Sequence, residues 1–191
     1  LNKAYDLSDL YLVVAGGIST CHASFFISGM TSFLAARGAK IGIQVGTAYL
    51  FTDEIVDTRA VKKQYRDIIL REEKTVVIGK TLGLASRTAP TDFARMMVKS
   101  EYEGIKSGEN LETRKRAFEK NQIGSLLIGA KGFLPDFKNP GEENYTWFED
   151  EEHAGKGNFL VGDSLAFFDR GCTIKEIHEK YFNTKSRLVK N

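Results

Sequence analysis

Cysteine is scarce in this chain. Cys21 and Cys172 are the only two among 191 residues, and they lie far apart without any metal-ligand spacing. Such a pair builds neither a disulfide framework nor a structural zinc site. We therefore expect no metal, and two reduced thiols in a cytoplasmic protein.

Long apolar runs and a dominant charge are also missing. No apolar run reaches the ~18 residues that span a bilayer, and no signal-peptide pattern opens the sequence. The 27 basic and 25 acidic residues give a net charge of only +2. We thus expect neither a membrane nor a nucleic acid as partner. The 42% apolar content is enough for a core.

Two short apolar runs, each ending at glycine, are the most informative feature that is present. Leu12–Ile18 contains Gly16-Gly17, and Lys40–Thr47 ends in Gly46-Thr47. Glycine lets a backbone N–H approach a ligand closely, and a following helix N-terminus adds partial positive charge. Two such ends on neighbouring parallel strands form a phosphate cradle, as after the last two strands of many (β/α)8 barrels. The ordinary structural explanation is a pair of tight turns.

These motifs resemble those of a known flavoprotein family. Ala15-Gly16-Gly17-Ile18, followed by Gln44 to Leu50, resembles the FMN-phosphate segment of the nitronate monooxygenase (2-nitropropane dioxygenase-like) and FMN-dependent enoyl reductase family. Gly79 to Arg87 resembles its glycine- and arginine-bearing segment, and Gly157 to Asp163 its closing glycine motif. The long polar segment between Arg87 and Gly157 resembles the branch associated with polyketide and polyunsaturated fatty acid synthases.

The resemblance implies an FMN-dependent oxidoreductase that reduces an enoyl thioester on a carrier protein. Nitronate oxidation is the alternative enzyme, and a non-catalytic phosphate-binding or docking module is the alternative from another class. A further option is a barrel enzyme that binds a phosphorylated substrate with the same loops. The resemblance of the segment from Gly79 to Gly162 to the flavoprotein family counts against this option. The implied cofactor-binding residues are Gly16, Gly17, Gln44, Gly46 and Thr47. Gln44 is equally compatible with a polar position in a barrel core layer.

The expected fold is α/β: the last two parallel strands of a TIM-type barrel, followed by a helical C-terminal extension. A whole barrel takes about 250 residues, so we expect this chain, which starts at Leu1, to be part of a longer protein. Residues 1–75 would form the terminal βα units and residues 76–191 the extension. The upstream strands would hold the catalytic residues, so we expect no turnover and possible self-association of this chain alone.

Periodicity and turn residues predict the local elements. Apolar residues at helical spacing predict a helix over 20–37, with either Ser19 or Thr20 as its cap. Thr52 or Asp53 is expected to open the next helical stretch, which is helix-prone over 56–73. The other predicted elements are a strand over 75–78, helices over 92–100 and 111–121, a surface loop over 139–157, a helix over 159–168, and a final helix capped by Thr173 through Tyr181.

Other conspicuous side chains have ordinary explanations that we favour. His22 is expected at the surface and His178 in a structural role, whereas His153 lies in an acidic run that is typical of a solvated insertion rather than a cation site. Arg87 would form a loop-stabilising ion pair, or else bind an anion. Asp163 stands where the resembling family often has glutamine, so that position's role does not transfer. Tyr145, Trp147 and Phe148 are expected to pack the loop onto the body.

Overall fold

The chain begins with a parallel βαβ unit. The computed structural model describes residues 6–138 and 144–182. In it, strand β1 (Tyr11–Ala15) pairs in parallel with strand β2 (Lys40–Gln44), in register from Tyr11 opposite Lys40 to Ala15 opposite Gln44. Within the described residues these two strands pair only with each other. The predicted pair of adjacent parallel strands is confirmed.

Helix α1 (Cys21–Ala36) connects the two strands, as predicted. Thr20 caps it by accepting a hydrogen bond from the Ala23 backbone N–H at 3.2 Å, which satisfies an otherwise unpaired amide of the first turn. The only buried side chains of this helix are Ser24 and Thr31. Its apolar side, in contrast, is exposed in the described structure. The side chains of that face with more than half of their surface exposed are Phe26, Met30 and Phe33, and Phe25, on another side of the helix, is also more than half exposed.

The region after β2 is less regular than its sequence predicts. A 3-10 helix spans Thr47–Phe51, and two short helices follow, α2 (Asp53–Asp57) and α3 (Lys63–Leu70). The predicted opening at Thr52 is confirmed, since its hydroxyl accepts from the Ile55 N–H at 3.3 Å, whereas the prediction of one helical stretch over 56–73 is wrong. The helix stops because the chain turns at Arg59, with φ of 56°, and the Lys62 N–H then donates to the Ala130 carbonyl at 2.8 Å.

The remaining part of the chain is mostly helical. Strand β3 (Val76–Ile78) confirms the predicted strand, and it pairs antiparallel with β4 (Ser86–Thr88). Three helices follow. They are α4 (Asp92–Lys106), α5 (Leu111–Gln122) and α6 (Ser125–Lys131). The helix predicted over 92–100 thus runs six residues further, to Lys106, and that over 111–121 is confirmed.

The loop predicted over 139–157 is wrong for most of its described residues. Residues 139–143 lie outside the described residues. Strand β6 (Tyr145–Trp147) pairs antiparallel with β5 (Phe133–Pro135), and helix α7 spans Asp150–Lys156. Its start is rich in acids, which favour the positive end of a helix.

His153 anchors this helix and is fully buried, so the solvated-loop interpretation fails. Its Nε2–H donates to the Gly129 carbonyl oxygen at 2.9 Å, and its ring stands edge-on to Phe159 with centroids 5.2 Å apart.

The segment predicted as a helix over 159–168 is extended at its start. Ala89 N–H donates to the Phe159 carbonyl at 2.9 Å and Val161 N–H to the Arg87 carbonyl at 3.2 Å, so the segment lies antiparallel beside β4. A 3-10 helix over Asp163–Phe167 follows. The final helix α8 (Ile174–Phe182) is confirmed with its Thr173 cap, whose hydroxyl accepts from the Glu176 N–H at 3.1 Å.

The main hydrophobic core is formed by residues that follow strand β2, and none of its buried members belongs to the β1–α1–β2 unit. It combines residues from both sides of position 75, among them Phe51, Tyr65, Ile69, Phe159 and Leu165. A smaller cluster between β3, α4 and α5 contains Ile78, Phe93 and Met97. No helix in the described ranges has both the length and the apolarity that crossing a bilayer requires.

Candidate functional site

The two glycine-bearing loops lie at the same edge of the parallel pair. Ala15 is the last residue of β1 and faces Gln44, the last residue of β2, so the loops that follow them leave the sheet side by side. Gly16-Gly17 leads to α1, and Gly46-Thr47 leads to the 3-10 helix over Thr47–Phe51. Both loops thus place the start of a helical element near one sheet edge, where partial positive charge favours an anion.

The glycines of these loops have open space on their side-chain side. Gly16 and Gly17 have φ angles of 86° and 66°, which other residues rarely adopt. A β-carbon added to Gly16, Gly17 or Gly46 would meet no other atom within 4 Å. The backbone is therefore accessible to a ligand from outside the described structure. Ile18 and Ser19 are buried and anchor the first loop.

Thr47 contacts a third glycine that the sequence analysis did not place at this site. The backbone N–H of Gly162 donates to Thr47 Oγ1 at 2.9 Å. A hydroxyl has one hydrogen to donate, so Thr47 keeps that hydrogen for another acceptor while its oxygen accepts from Gly162. Gly162 belongs to the Gly157–Asp163 motif that the sequence analysis identified. No residue near Gly162 in the sequence indicates that it contacts Thr47.

Next to Gly162, an ion pair joins Asp163 to β4. Arg87 Nη1 lies 2.9 Å from Asp163 Oδ1 and 3.0 Å from Thr75 Oγ1, and the Thr75 hydroxyl bonds to the same carboxylate oxygen. Both charged side chains are half exposed or more, so the pair contributes little to stability in water. The ion pair expected of Arg87 is thus present, and its partner is Asp163, the residue that stands where the resembling family often has glutamine.

The other side chains considered in the sequence analysis are Gln44, His22 and His178. Gln44 is exposed at the end of β2, and its assignment as a cofactor ligand stays a prediction. His22 is exposed on the first turn of α1, as expected. His178 lies 3.0 Å, through Nε2, from the Tyr49 hydroxyl.

The aromatic side chains of the acidic segment divide into two kinds. Phe148 is buried, as predicted for a residue that packs the segment onto the body. Tyr145 and Trp147 are exposed, but both rings pack against the Phe133 ring of β5, with centroids 4.9 and 5.1 Å away. These two aromatic side chains therefore hold the segment to the neighbouring strand rather than filling the core.

Comparison with known proteins supports the fold alone. No protein-family model matches the chain, and no curated protein matches it. The chain is similar to FabK from Thermotoga maritima, at 24% identity over 88% of this chain and 42% of that one, with a TM-score of 0.56. It is also similar to a methionine-to-alanine variant of the same protein, at 21% identity over 90% of this chain and 40% of that one, with a TM-score of 0.51. The chain spans about two fifths of these structures. It therefore has the fold of part of a TIM-barrel protein.

Proposed function

We propose that this chain carries the FMN-phosphate site of a barrel-type, FMN-dependent oxidoreductase. The single observation that supports this best is the pair of glycine loops, Gly16-Gly17 and Gly46-Thr47, on neighbouring parallel strands with open space above them. Backbone N–H groups from both loops and the Thr47 hydroxyl would donate to the phosphate, with Gln44 nearby. The flavin ring, when bound, would accept and pass on a hydride.

The donor set suits a phosphate monoester. Neutral backbone N–H groups, helix starts and one hydroxyl stabilise a dianion without requiring a cationic side chain. Arg87, the cation of the neighbouring segment, is paired with Asp163 and thus partly neutralised. In this proposal, residues 1–75 hold the phosphate of the cofactor. Residues 76–191 form an extension that places Gly162 next to Thr47.

The exposed apolar side of α1 supports the proposal that further barrel units complete the site. Phe26, Met30 and Phe33 are each more than half exposed, and β1 and β2 have no other strand partners among the described residues. Such surfaces are normally covered in a stable fold. A barrel site is assembled from loops after several strands, so the groups around the flavin ring would come from units outside this chain.

The reaction we propose is reduction of an enoyl thioester carried by an acyl carrier protein. It follows from the resemblance of the extension to the synthase-associated branch and agrees with the fold similarity to FabK. Oxidation of a small nitronate is the second candidate enzyme. The candidate function that is not enzymatic is a phosphate-binding or docking module.

A titration separates these proposals. The chain is titrated with FMN, riboflavin and inorganic phosphate, with flavin fluorescence and calorimetry as readouts. FMN should bind more tightly than riboflavin, and phosphate should compete, because only the phosphate is held by this chain. Equal affinities for FMN and riboflavin would overturn the assignment. Competition by phosphate in this titration, together with a complete barrel that retains no flavin, would favour the non-catalytic module.

A second experiment distinguishes the two enzymes. The protein is assayed together with the rest of its barrel for enoyl-thioester reduction and for nitronate oxidation. Turnover of carrier-bound enoyl thioester with no nitronate activity is the expected result. The opposite pattern would assign the nitronate reaction instead, and a colourless protein without flavin absorbance would exclude both.

A further inference from the structure

Arg87 contacts the chain on both sides of Gly162, the residue whose N–H bonds to Thr47. Its backbone carbonyl accepts a hydrogen bond from the Val161 N–H at 3.2 Å. Its side chain pairs with Asp163, with 2.9 Å between Nη1 and Oδ1. Gly162 therefore lies in the sequence between two residues that are both bonded to Arg87, and the proposed phosphate site does not use Arg87.

Arg87 is itself held by strand β4. It lies opposite Val77 of β3 in the antiparallel hairpin, and its Nη1 is also 3.0 Å from Thr75 Oγ1. The Thr75 hydroxyl donates to the same oxygen of Asp163 that Arg87 contacts. Three groups that bond to one another restrict the guanidinium and the carboxylate more than a single exposed ion pair does. The arrangement thus fixes the segment after Val161 relative to the hairpin.

The position of Gly162 determines what the Thr47 hydroxyl can do. The Thr47 oxygen accepts from the Gly162 N–H at 2.9 Å, and its one hydrogen remains for another acceptor. Without that contact the hydroxyl is free to rotate, so its hydrogen points toward a ligand in a smaller share of the molecules. A donor that is aligned before the ligand arrives binds more tightly, because less freedom is lost on binding.

We propose that the Arg87–Asp163 pair positions the Thr47 hydroxyl by acting through Gly162, a role that rests on the phosphate site proposed for the glycine loops. The two charged side chains are 50% and 61% exposed, and such pairs add little to the free energy of unfolding. Direct binding of the anion by Arg87 is the competing role. Asp163 opposes it, because its carboxylate shares the guanidinium and repels an anion.

Two variants of equal charge test the proposal in the full chain. Asp163→Asn and Asp163→Ala both remove the negative charge, but only asparagine keeps an oxygen that accepts from Arg87 and Thr75. FMN and inorganic phosphate should bind the alanine variant about threefold more weakly than the asparagine variant, which is part of the effect of one hydrogen bond. Riboflavin, which has no phosphate, should bind both variants equally.

Two outcomes of this comparison would overturn the proposal. One is equal phosphate affinity of the two variants. The other is tighter phosphate binding by Asp163→Ala than by Asp163→Asn, since alanine frees the guanidinium and the competing role of Arg87 requires it free. Asp92→Ala removes an exposed ion pair with Arg95 and is the control, which should bind FMN and phosphate as the unchanged chain does.

A second pair of variants tests the path through Thr47. In chains that carry Thr47→Val there is no hydroxyl to align, so Asp163→Ala and Asp163→Asn should then bind phosphate equally. A threefold difference that persists in the presence of Thr47→Val would overturn the path.

Hydrogen exchange of the Gly162 amide needs no ligand and so separates this proposal from the phosphate site itself. The amide should exchange about threefold faster in Asp163→Ala than in Asp163→Asn, because its bond to Thr47 opens more often. Equal exchange rates would reject the role of the pair even where phosphate binds. Failure of FMN and phosphate to bind the unchanged chain would instead reject the phosphate site.

Discussion

The backbone N–H of Gly162 donates a hydrogen bond to the hydroxyl oxygen of Thr47 at 2.9 Å, although 115 positions separate the two residues. The contact joins the segment after Val161 to the loop that follows strand β2. It also leaves the Thr47 hydroxyl hydrogen as the group that can donate to a ligand. The phosphate site that we propose therefore depends on a residue far outside the barrel unit.

Replacing Gly162 by alanine should weaken binding at this site. A β-carbon there would lie 2.8 Å from Thr47 Oγ1, which is too close for an unperturbed contact. Displacing the threonine should lower the affinity for FMN or phosphate about five- to tenfold, the effect of one hydrogen bond. Calorimetry measures it. Gly155→Ala is the control, because a β-carbon at this helical glycine meets no atom within 4 Å. Equal affinities of both variants would contradict the role of Gly162.

Replacing Gly17 by valine in the full-length enzyme should reduce FMN retention more strongly than Gly162→Ala does. The β-branched side chain would occupy the open space in front of the loop amides, and the φ of 66° adds strain of about 1–2 kcal/mol. Gly108→Val is the matched control, with a φ of 71°, equally open surroundings and a position in the α4–α5 turn. Both variants should lose similar stability in urea unfolding, while only Gly17→Val should lose FMN. Full flavin occupancy in Gly17→Val would make this glycine a turn residue only.

The chain by itself should bind FMN weakly, show no turnover and associate with a second copy. The exposed side chains of α1 and the unpaired edges of β1 and β2 provide the contact surface. Sedimentation velocity should show mass increasing with concentration. Phe33→Glu should shift the chain to monomer, because burying its charge in an apolar contact is unfavourable. Phe137→Glu, at a similarly exposed phenylalanine elsewhere, should not. A monomer at all concentrations, or stoichiometric flavin with turnover, would refute this prediction.

The docking of α8 should weaken in acid. A hydrogen bond from the Thr173 backbone N–H, at 2.7 Å, and one from Arg170 hold the pKa of Glu176 below its ordinary value. The lowered pKa in the folded state means that the ionised carboxylate contributes stability above the ordinary pKa. This contribution is lost as the pH falls through the lowered pKa.

Thermal unfolding between pH 6 and pH 3 measures this effect. Glu176→Gln should lower Tm at pH 6 and should show a smaller decrease of Tm in acid than the unchanged chain. Glu179→Gln removes a carboxylate from the same helix, where it only pairs with Lys175 at 3.9 Å, and serves as control. An identical pH dependence of the unchanged chain and Glu176→Gln would contradict the assignment.

Elements with signals in their own residues could be predicted from the sequence. Thr20 caps α1 and Asn110 caps α5 by accepting from amides three residues on, and Thr173 with Glu176 forms a reciprocal cap for α8. The alternation of apolar strands and an apolar helix was sufficient for the parallel β1–α1–β2 unit, and therefore for the two glycine loops. These signals are local, because the hydrogen bonds that they describe close within a single turn.

Only the tertiary structure decided the elements whose partners lie far away in sequence. The Lys62 N–H, just before α3, donates to the Ala130 carbonyl, and the His153 ring is buried against Gly129. The Val161 N–H donates to the Arg87 carbonyl and so adds an extended segment to the β3–β4 hairpin. Each conformation is stabilised by a backbone group or core residue that the local pattern does not contain. The candidate site divides in the same way. Its glycine loops follow strand ends that are marked in the sequence itself, whereas the contact between Gly162 and Thr47 exists only because the folded chain brings together two residues 115 positions apart.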